Sequence, residues 1–417
     1  MEQQGNQGDL SDDEGIGDDD LLDIVEDDDG DFVLDDDLAD VMEDLSVEGA
    51  AGGGDGIEDD DADEDDTVDD ANVTFEKHTG SVFSVGVDPV NSLLAVSGGE
   101  DDKAYVWKLA NGEVMFECTG HKDSVTHTGF SHDSKLVASG DMSGMIKVWN
   151  ASTGQEVWSF ECADLEWLDW HHAVNVLLAG TADGDTWMWK IPSGDTKTFQ
   201  SHGCRSTCGM FMKDGARAIA GYEDGTLKVW DLKKGSNIFH LSDGTSHQGP
   251  LTCVDCNKDD VLIASGSEDS TVKLINSNTG KVLTSLNAGF PNPKDDTDSP
   301  PSIESVCFSK VNPVLATASL SGVLGLWDLS TQRLRQQCKH PNSIVKVRWD
   351  PSGPLLYSCC LDGVVRMWDS RSGTCEKEWC GHKGEILDFT LSRDGNVLLT
   401  GSGDTTARVY NLHSPER

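Results

Sequence analysis

The chain has 417 residues, 75 Asp and Glu against 31 Lys and Arg, and a formal net charge of −44 at neutral pH. That excess disfavours direct binding to nucleic acid, where phosphate contacts call for clustered Lys and Arg. No apolar run approaches the ~18 residues of a membrane helix, and the acidic N-terminus is the reverse of a secretory leader.

Residues 1–70 hold 32 of the acids and no Lys or Arg. So little apolar surface and so much self-repulsion cannot offset the entropy of ordering, so this tail is expected to be largely disordered. Within it, Leu38, Val41, Met42 and Leu45 recur with helical spacing, which predicts a short amphipathic helix near 36–46. The "DDDGD" string suggests a calcium loop. With Gly30 as its turn glycine, however, the first ligand position falls on Val25, and the EF-hand pattern fails.

A repeat begins at about residue 72. The stretch "NVTFEKH" is extended and apolar enough to pair, over 72–77, with the last strand at 405–411 and so close a ring. Aligning "KAYVWKL", "MIKVWNA", "DTWMWKI", "TLKVWDL", "TVKLINS", "VLGLWDL", "VVRMWDS" and "TARVYNL" gives a column of Trp107, Trp149, Trp189, Trp230, Ile275, Trp327, Trp368 and Tyr410, mostly about 41 residues apart. Runs such as "SVTHTGF", "KLVASGD" and "MIKVWN" alternate with Gly, Asp and Ser turns, the mark of short strands in hairpins. Four strands per ~40 residues describe an all-β propeller of the WD40 type, with eight blades over 72–417.

In such a repeat, a histidine, a Ser or Thr on the second strand, a turn Asp and the third-strand Trp form one hydrogen-bonded chain. Here the histidines are His78, His121, His202, His247, His340 and His382, the aspartates Asp101, Asp183, Asp224, Asp269, Asp362 and Asp404, and the hydroxyls include Ser139 and Ser265. An active site is needed once, whereas these groups recur from unit to unit, so they read as structural and the protein as non-enzymatic. Units two, three and six are defective. Unit two has Ser143 in place of the Asp, unit three has "ECADLEW" in place of Gly-His, and unit six has neither His nor Asp, with Ser321 in the turn. These should be the weaker blades unless something braces them. The Trp-rich "DLEWLDWHH" and "DTWMW" offer a brace in unit three, with Trp167 doubling as a candidate aromatic anchor for a partner. His171 and His172, as strand neighbours, should point to opposite faces.

The twelve cysteines follow no disulfide framework, which suits the reducing cytoplasm or nucleus. Cys253 with Cys256, and Cys204 with Cys208, lack the paired spacing of a zinc site and read as packing thiols. "NTGKV" lacks the upstream glycine of a phosphate loop. No cofactor or metal is indicated, and the Pro-rich acidic stretch 287–302 reads as a solvated loop. What remains is protein binding on the narrow, loop-rich face of the propeller. Glu100, Glu223 and Glu268 precede the turn aspartates there, and Arg205 and Glu385 follow the Gly-His positions. Their carboxylates would attract basic segments.

Strings beyond the WD consensus are specific: "GGEDDKAYVW", "FSHDSKLVASGDMSG", "DLEWLDWH", "LLAGTADGDTWMWKIPSGD" and "HQGPLTCV". In these the chain resembles the angio-associated migratory cell protein family throughout 72–417; the tail is similar only in being acidic. The resemblance implies a cytosolic, non-enzymatic WD protein linked to cell migration and signalling. It is also similar to a fungal WD chaperone that captures a newly made large-subunit ribosomal protein through its basic N-terminus. A chaperone for such a basic segment, acting as a monomer, is therefore one expectation, and a signalling scaffold the other.

Overall fold

The computed structural model describes residues 68–242, 244–290 and 301–412. The acidic tail with its predicted helix at 36–46, and most of the 287–302 stretch, lie outside the described residues. The eight blades inferred from the repeat are the observed fold: eight four-stranded antiparallel sheets. Seven are continuous in sequence, spanning 82–118, 125–161, 165–199, 206–241, 251–287, 303–339 and 344–379. The eighth joins 386–411 to the strand Val73–Phe75.

Burial along the strands follows from their place in a blade. The second strand is covered on both faces by neighbouring sheets, so it reads almost without polar interruption, and Leu136–Asp141 and Val314–Ser319 are buried end to end. Outer strands such as Thr374–Trp379 carry exposed charges and keep only the last side chain buried. The turn between second and third strands needs a left-handed residue in each blade. Gly144, Gly184, Gly225, Gly322 and Gly363 supply it with φ between 75° and 89°, while Asp102, Ser270 and Thr405 adopt it at 59°, 66° and 69°. At Gly225 a β-carbon would stand 2.3 Å from the His247 carbonyl oxygen.

Side chains of the inner strands stitch each blade to the next around the ring. Thr128 N–H donates to the Ser84 hydroxyl at 3.0 Å, Trp170 Nε1–H to the Gly129 carbonyl at 3.1 Å, and Phe211 N–H to Asp169 at 2.9 Å. The Thr207 hydroxyl donates to the Leu251 carbonyl at 2.6 Å, Phe308 N–H to Asp255 at 2.8 Å and Val347 N–H to Ser305 at 3.2 Å. Asp388 pairs with Lys346 of blade seven and accepts Val85 N–H of blade one at 2.9 Å. Burial raises the carboxyl pKa of both Asp169 and Asp255, against the backbone donors that favour the charged form.

The Val73–Phe75 strand pairs with the last strand in the register Val73↔Val409, Thr74↔Arg408 and Phe75↔Ala407. Phe75 is 2 % exposed, stacks on Trp107 of blade one at 4.6 Å and packs with Leu399 and Val409 of blade eight. Asp69 pairs with Arg408, and Asp70 accepts Cys380 N–H at 2.9 Å. One short strand therefore ties three parts of the ring together. Phe75→Ala should cost about 3–5 kcal/mol in guanidinium unfolding, the usual loss for a buried Phe. Deletion of residues 1–65 should leave the transition in place.

Candidate functional site

The polar chain predicted for each repeat is complete in blades one and two. His78 lies 3.0 Å from Asp101 and 2.9 Å from Ser97, which accepts Trp107 Nε1–H at 3.1 Å. A carboxylate only accepts, so in the neutral imidazole Nδ1 carries the proton, and the serine hydroxyl donates to Nε2. In blade two the members are His121, Ser139, Trp149 and Asp141, with His121 Nδ1 3.0 Å from the Asp141 carboxylate. This corrects the expectation of a defect there. Asp141 ends the second strand two residues before Ser143 and reaches the histidine from that position, while the Ser143 hydroxyl donates to it at 2.7 Å. Blade five has His247, Ser265 and Asp269, and blade eight has His382, Thr400 and Asp404. Ile275 and Tyr410 stand in their tryptophan column.

Four blades depart from the scheme, each for a visible reason. In blade seven His340 bonds to Ser358 at 2.7 Å, but Arg366 takes Asp362 at 2.7 Å, and His340 Nδ1 has no partner among the described residues. Burial, then the Arg366 charge, pulls the His340 pKa down to about 3. In blades three and four Ala179 and Ala220 replace the serine, so Trp189 and Trp230 are buried with no acceptor for their indole N–H among the described residues. Asp183, with no histidine to receive, accepts Asp185 N–H at 3.2 Å. His202 turns to Asp224 through Nε2 at 2.8 Å and is exposed. In blade six Phe290 fills the histidine position and stacks over Trp327 at 6.2 Å, whose N–H reaches Thr317 at 3.0 Å.

Trp167 is not an exposed anchor. It is 6 % exposed and donates to Ser206 of blade four at 2.9 Å. With Trp170 bonded to blade two, the histidine-less third blade is pinned on both sides; Trp349 pins the sixth, donating to the Cys307 carbonyl at 2.8 Å. His171 and His172 do not point apart, because the strand ends at Trp170 and their rings stack at 4.6 Å in the following turn.

The histidines lie at one end of the ring, where every blade repeats a backbone bond from the second-strand turn to the residue just before the inner strand. The donors are Glu100, Met142, Ala182, Glu223, Glu268, Leu320, Leu361 and Gly403; the acceptors are Ser81, Ser124, Asp164, Arg205, Pro250, Ser302, Ser343 and Glu385. Glu100, Glu223, Glu268 and Glu385 are all exposed on this face. Asp164 joins them, as do Glu166 and Glu304 from the second position of their inner strands. Burial, with the charge of Glu268 adding to it, raises the Glu304 carboxyl pKa. The cation of these columns, Arg205, is bound to Glu166 at 2.7 Å. The acids form two arcs, blades three to six and blades eight to one. Blade two, with Met142, and blade seven, with Leu361, interrupt them; Met142 is 50 % exposed, and Leu320, within blade six, 43 %. Column alignment alone would have found Asp164, Met142 and Leu320, since each shares a position with a residue already singled out.

The model of the WD domain, G-beta repeat, matches residues 71–108, 112–150, 194–231, 239–276, 332–369 and 373–411. The two blades it passes over, three and six, are those without the histidine. The human angio-associated migratory cell protein is 49 % identical over 354 residues, covering 84 % of this chain and 82 % of its own. The Saccharomyces cerevisiae ribosome assembly protein SQT1 is 26 % identical over 291 residues, 63 % of this chain and 67 % of its own. The crystal structure of Chaetomium thermophilum Sqt1 bound to the N-terminus of the ribosomal protein L10 superposes with a TM-score of 0.74 at 25 % identity, covering 82 % of this chain and all (100 %) of that one.

The Asp141 carboxyl illustrates how the rivets respond to acid. Burial pushes its pKa up, but donors from His121, Lys122 N–H, Ser143 and Met145 N–H outweigh this and hold it at about 2, against an ordinary 3.8. A depressed carboxylate contributes stability above its unfolded pKa and loses it as pH falls through the folded one. The melting temperature should therefore fall between pH ~4 and ~2, and less steeply in Asp141→Asn. That variant should also be destabilised at neutral pH by about 1–3 kcal/mol, the cost of disturbing a buried hydrogen-bonded group.

Proposed function

The chain belongs to the angio-associated migratory cell protein family of WD-repeat proteins, and from that membership we propose that it is a chaperone capturing the basic N-terminal segment of a newly made ribosomal protein. It is a propeller that presents a protein-binding face, and the observation that carries the finer reading is the charge of that face. Seven carboxylates (Glu100, Asp164, Glu166, Glu223, Glu268, Glu304 and Glu385) share their columns with one cation, itself neutralised by Glu166. Carboxylates set on a rigid rim attract a Lys/Arg-rich chain from a distance and fix its register on contact. The structurally similar Chaetomium thermophilum Sqt1, crystallised bound to the N-terminus of the ribosomal protein L10, supports the same reading. We place the work in the cytoplasm, with the nucleus as a second location, and the protein acting as a monomer.

Exposed Met142 and Leu320 on the same face favour a second reading, a signalling scaffold that grips partners through apolar contacts. Fluorescence anisotropy with the labelled N-terminal segment of ribosomal protein L10 separates the two. On the chaperone reading, binding weakens steeply between about 0.05 and about 0.3 M salt as screening shortens the reach of the charges. Reversing Glu100, Glu223 and Glu268 to Lys should then weaken binding roughly tenfold to hundredfold together. Binding that ignores both salt and reversal, yet is lost in Met142→Asp with Leu320→Asp, would establish the scaffold instead.

A further inference from the structure

Two residues before the third-strand tryptophan column, four blades place a cation that is satisfied. Lys147 bonds to Glu156 at 2.8 Å, and Lys273 donates to the carbonyls of Thr245 and Ser246 at 2.9 Å each. Arg366 holds Asp362 and Glu378 at 2.7 Å each, and Arg408 holds Asp69. Blade four has Lys228 at this position. It is 8 % exposed, and among the described residues its ammonium meets no carboxylate or carbonyl. It lies instead over the rings of Tyr222 and Trp230, at 5.1 and 5.5 Å. The cause is one cross-strand partner: Arg366 faces Glu378, whereas Lys228 faces His240.

The space left over is a cavity of about 470 Å³, lined with His202, Asp224, Thr226, Asn237, His240 and Ser246 around Lys228. Asp224 in its lining follows Glu223 of the acidic face in sequence. Ala220 contributes to the cavity, because without a hydroxyl the His202 ring is released toward Asp224. We propose that this cavity is a binding site for a single peptide carboxylate, which completes the ion pair that Glu378 supplies in blade seven. Burial lowers the Lys228 pKa, and a bound anion would reverse that cost. A dianion fits less well, because Asp224 already lines the cavity. His202, Cys204 and Asp224 bring donor atoms within 4.8 Å of one another, a metal-like cluster, but a cation there would stand against the Lys228 ammonium. The proposal extends the reading of a basic client: the captured segment would carry one acid, in register with blade four, among its cations.

The test uses full-length protein with 15N-labelled lysine, titrated with N-acetyl-glutamate methylamide, its glutamine counterpart and N-acetyl-phosphoserine methylamide. The glutamate probe should shift the Lys228 ammonium resonance along a saturable curve, and the glutamine probe should not. Lys228→Met identifies the resonance by deleting it. His240→Glu should abolish the response while melting at or above the wild-type temperature, because its carboxylate occupies the site from within. An unchanged titration in His240→Glu, an equal response to glutamine, preference for phosphoserine, or Zn²⁺ uptake without a glutamate response would each overturn the proposal. The probes carry no positive charge, and reversal of Glu100 and Glu268, which lie in other blades, should leave their binding intact. Failure here is thus separable from failure of the basic-segment reading.

Discussion

Buried polar groups must be paired, and in this ring the pairing runs between blades as much as within them. A four-stranded sheet alone would leave both faces of its second strand in water, and those faces are the most apolar surfaces in the chain. Stacking the sheets around an axis covers them, but it also buries the polar edges of the inner strands. The Ser84, Asp169, Asp255, Ser305 and Asp388 side chains answer that by accepting backbone N–H groups from the next blade. Each such bond contributes little net energy, while its loss would strand a buried donor. The stitches thus set the relative position of neighbouring sheets, and with it the spacing of the carboxylates on the face above.

The networks within blades are more variable, and their variation has consequences. Where the serine is kept, the histidine is locked in and the site is inert. Where alanine replaces it, in blade four, the histidine swings out, Trp230 loses its serine acceptor and a polar cavity appears beside a lysine that forms no ion pair among the described residues. Blade three has the same alanine but no histidine to release; its aromatic cluster of Trp158, Phe160, Trp187 and Trp189 closes the space. The same loss therefore produces a pocket in one blade and a packed core in the next, according to whether large rings are at hand.

Much of this was legible in the sequence because it repeats. The Trp column, the turn aspartates and the histidines recur at a fixed period, and a period is read without knowing any contact. What escaped was whatever depends on reach rather than position. Asp141 serves blade two from outside its aligned column, and Arg366 draws Asp362 away from His340 within its own. Trp167 looked like an anchor because tryptophan is common at interfaces, yet the alanine and glycine neighbours that admit it to the core lie on other strands. Phe290 sits where a histidine belongs, and only stacking on Trp327 reveals the substitution as a replacement. The face was read as a ring of carboxylates; Met142 and Leu361, in the same columns, divide it into arcs.

The union of Val73–Phe75 with Ala407–Asn411 joins segments more than three hundred residues apart. During synthesis the first of these leaves the ribosome while its mate has yet to be translated, so every nascent form of the ring is open, with the Phe75 ring and the edge of the first sheet uncovered. Contacts of such long sequence separation form last and slowly. A protein proposed to shelter newborn polypeptides would, by this topology, itself be without its final shape until Ala407–Asn411 has been translated.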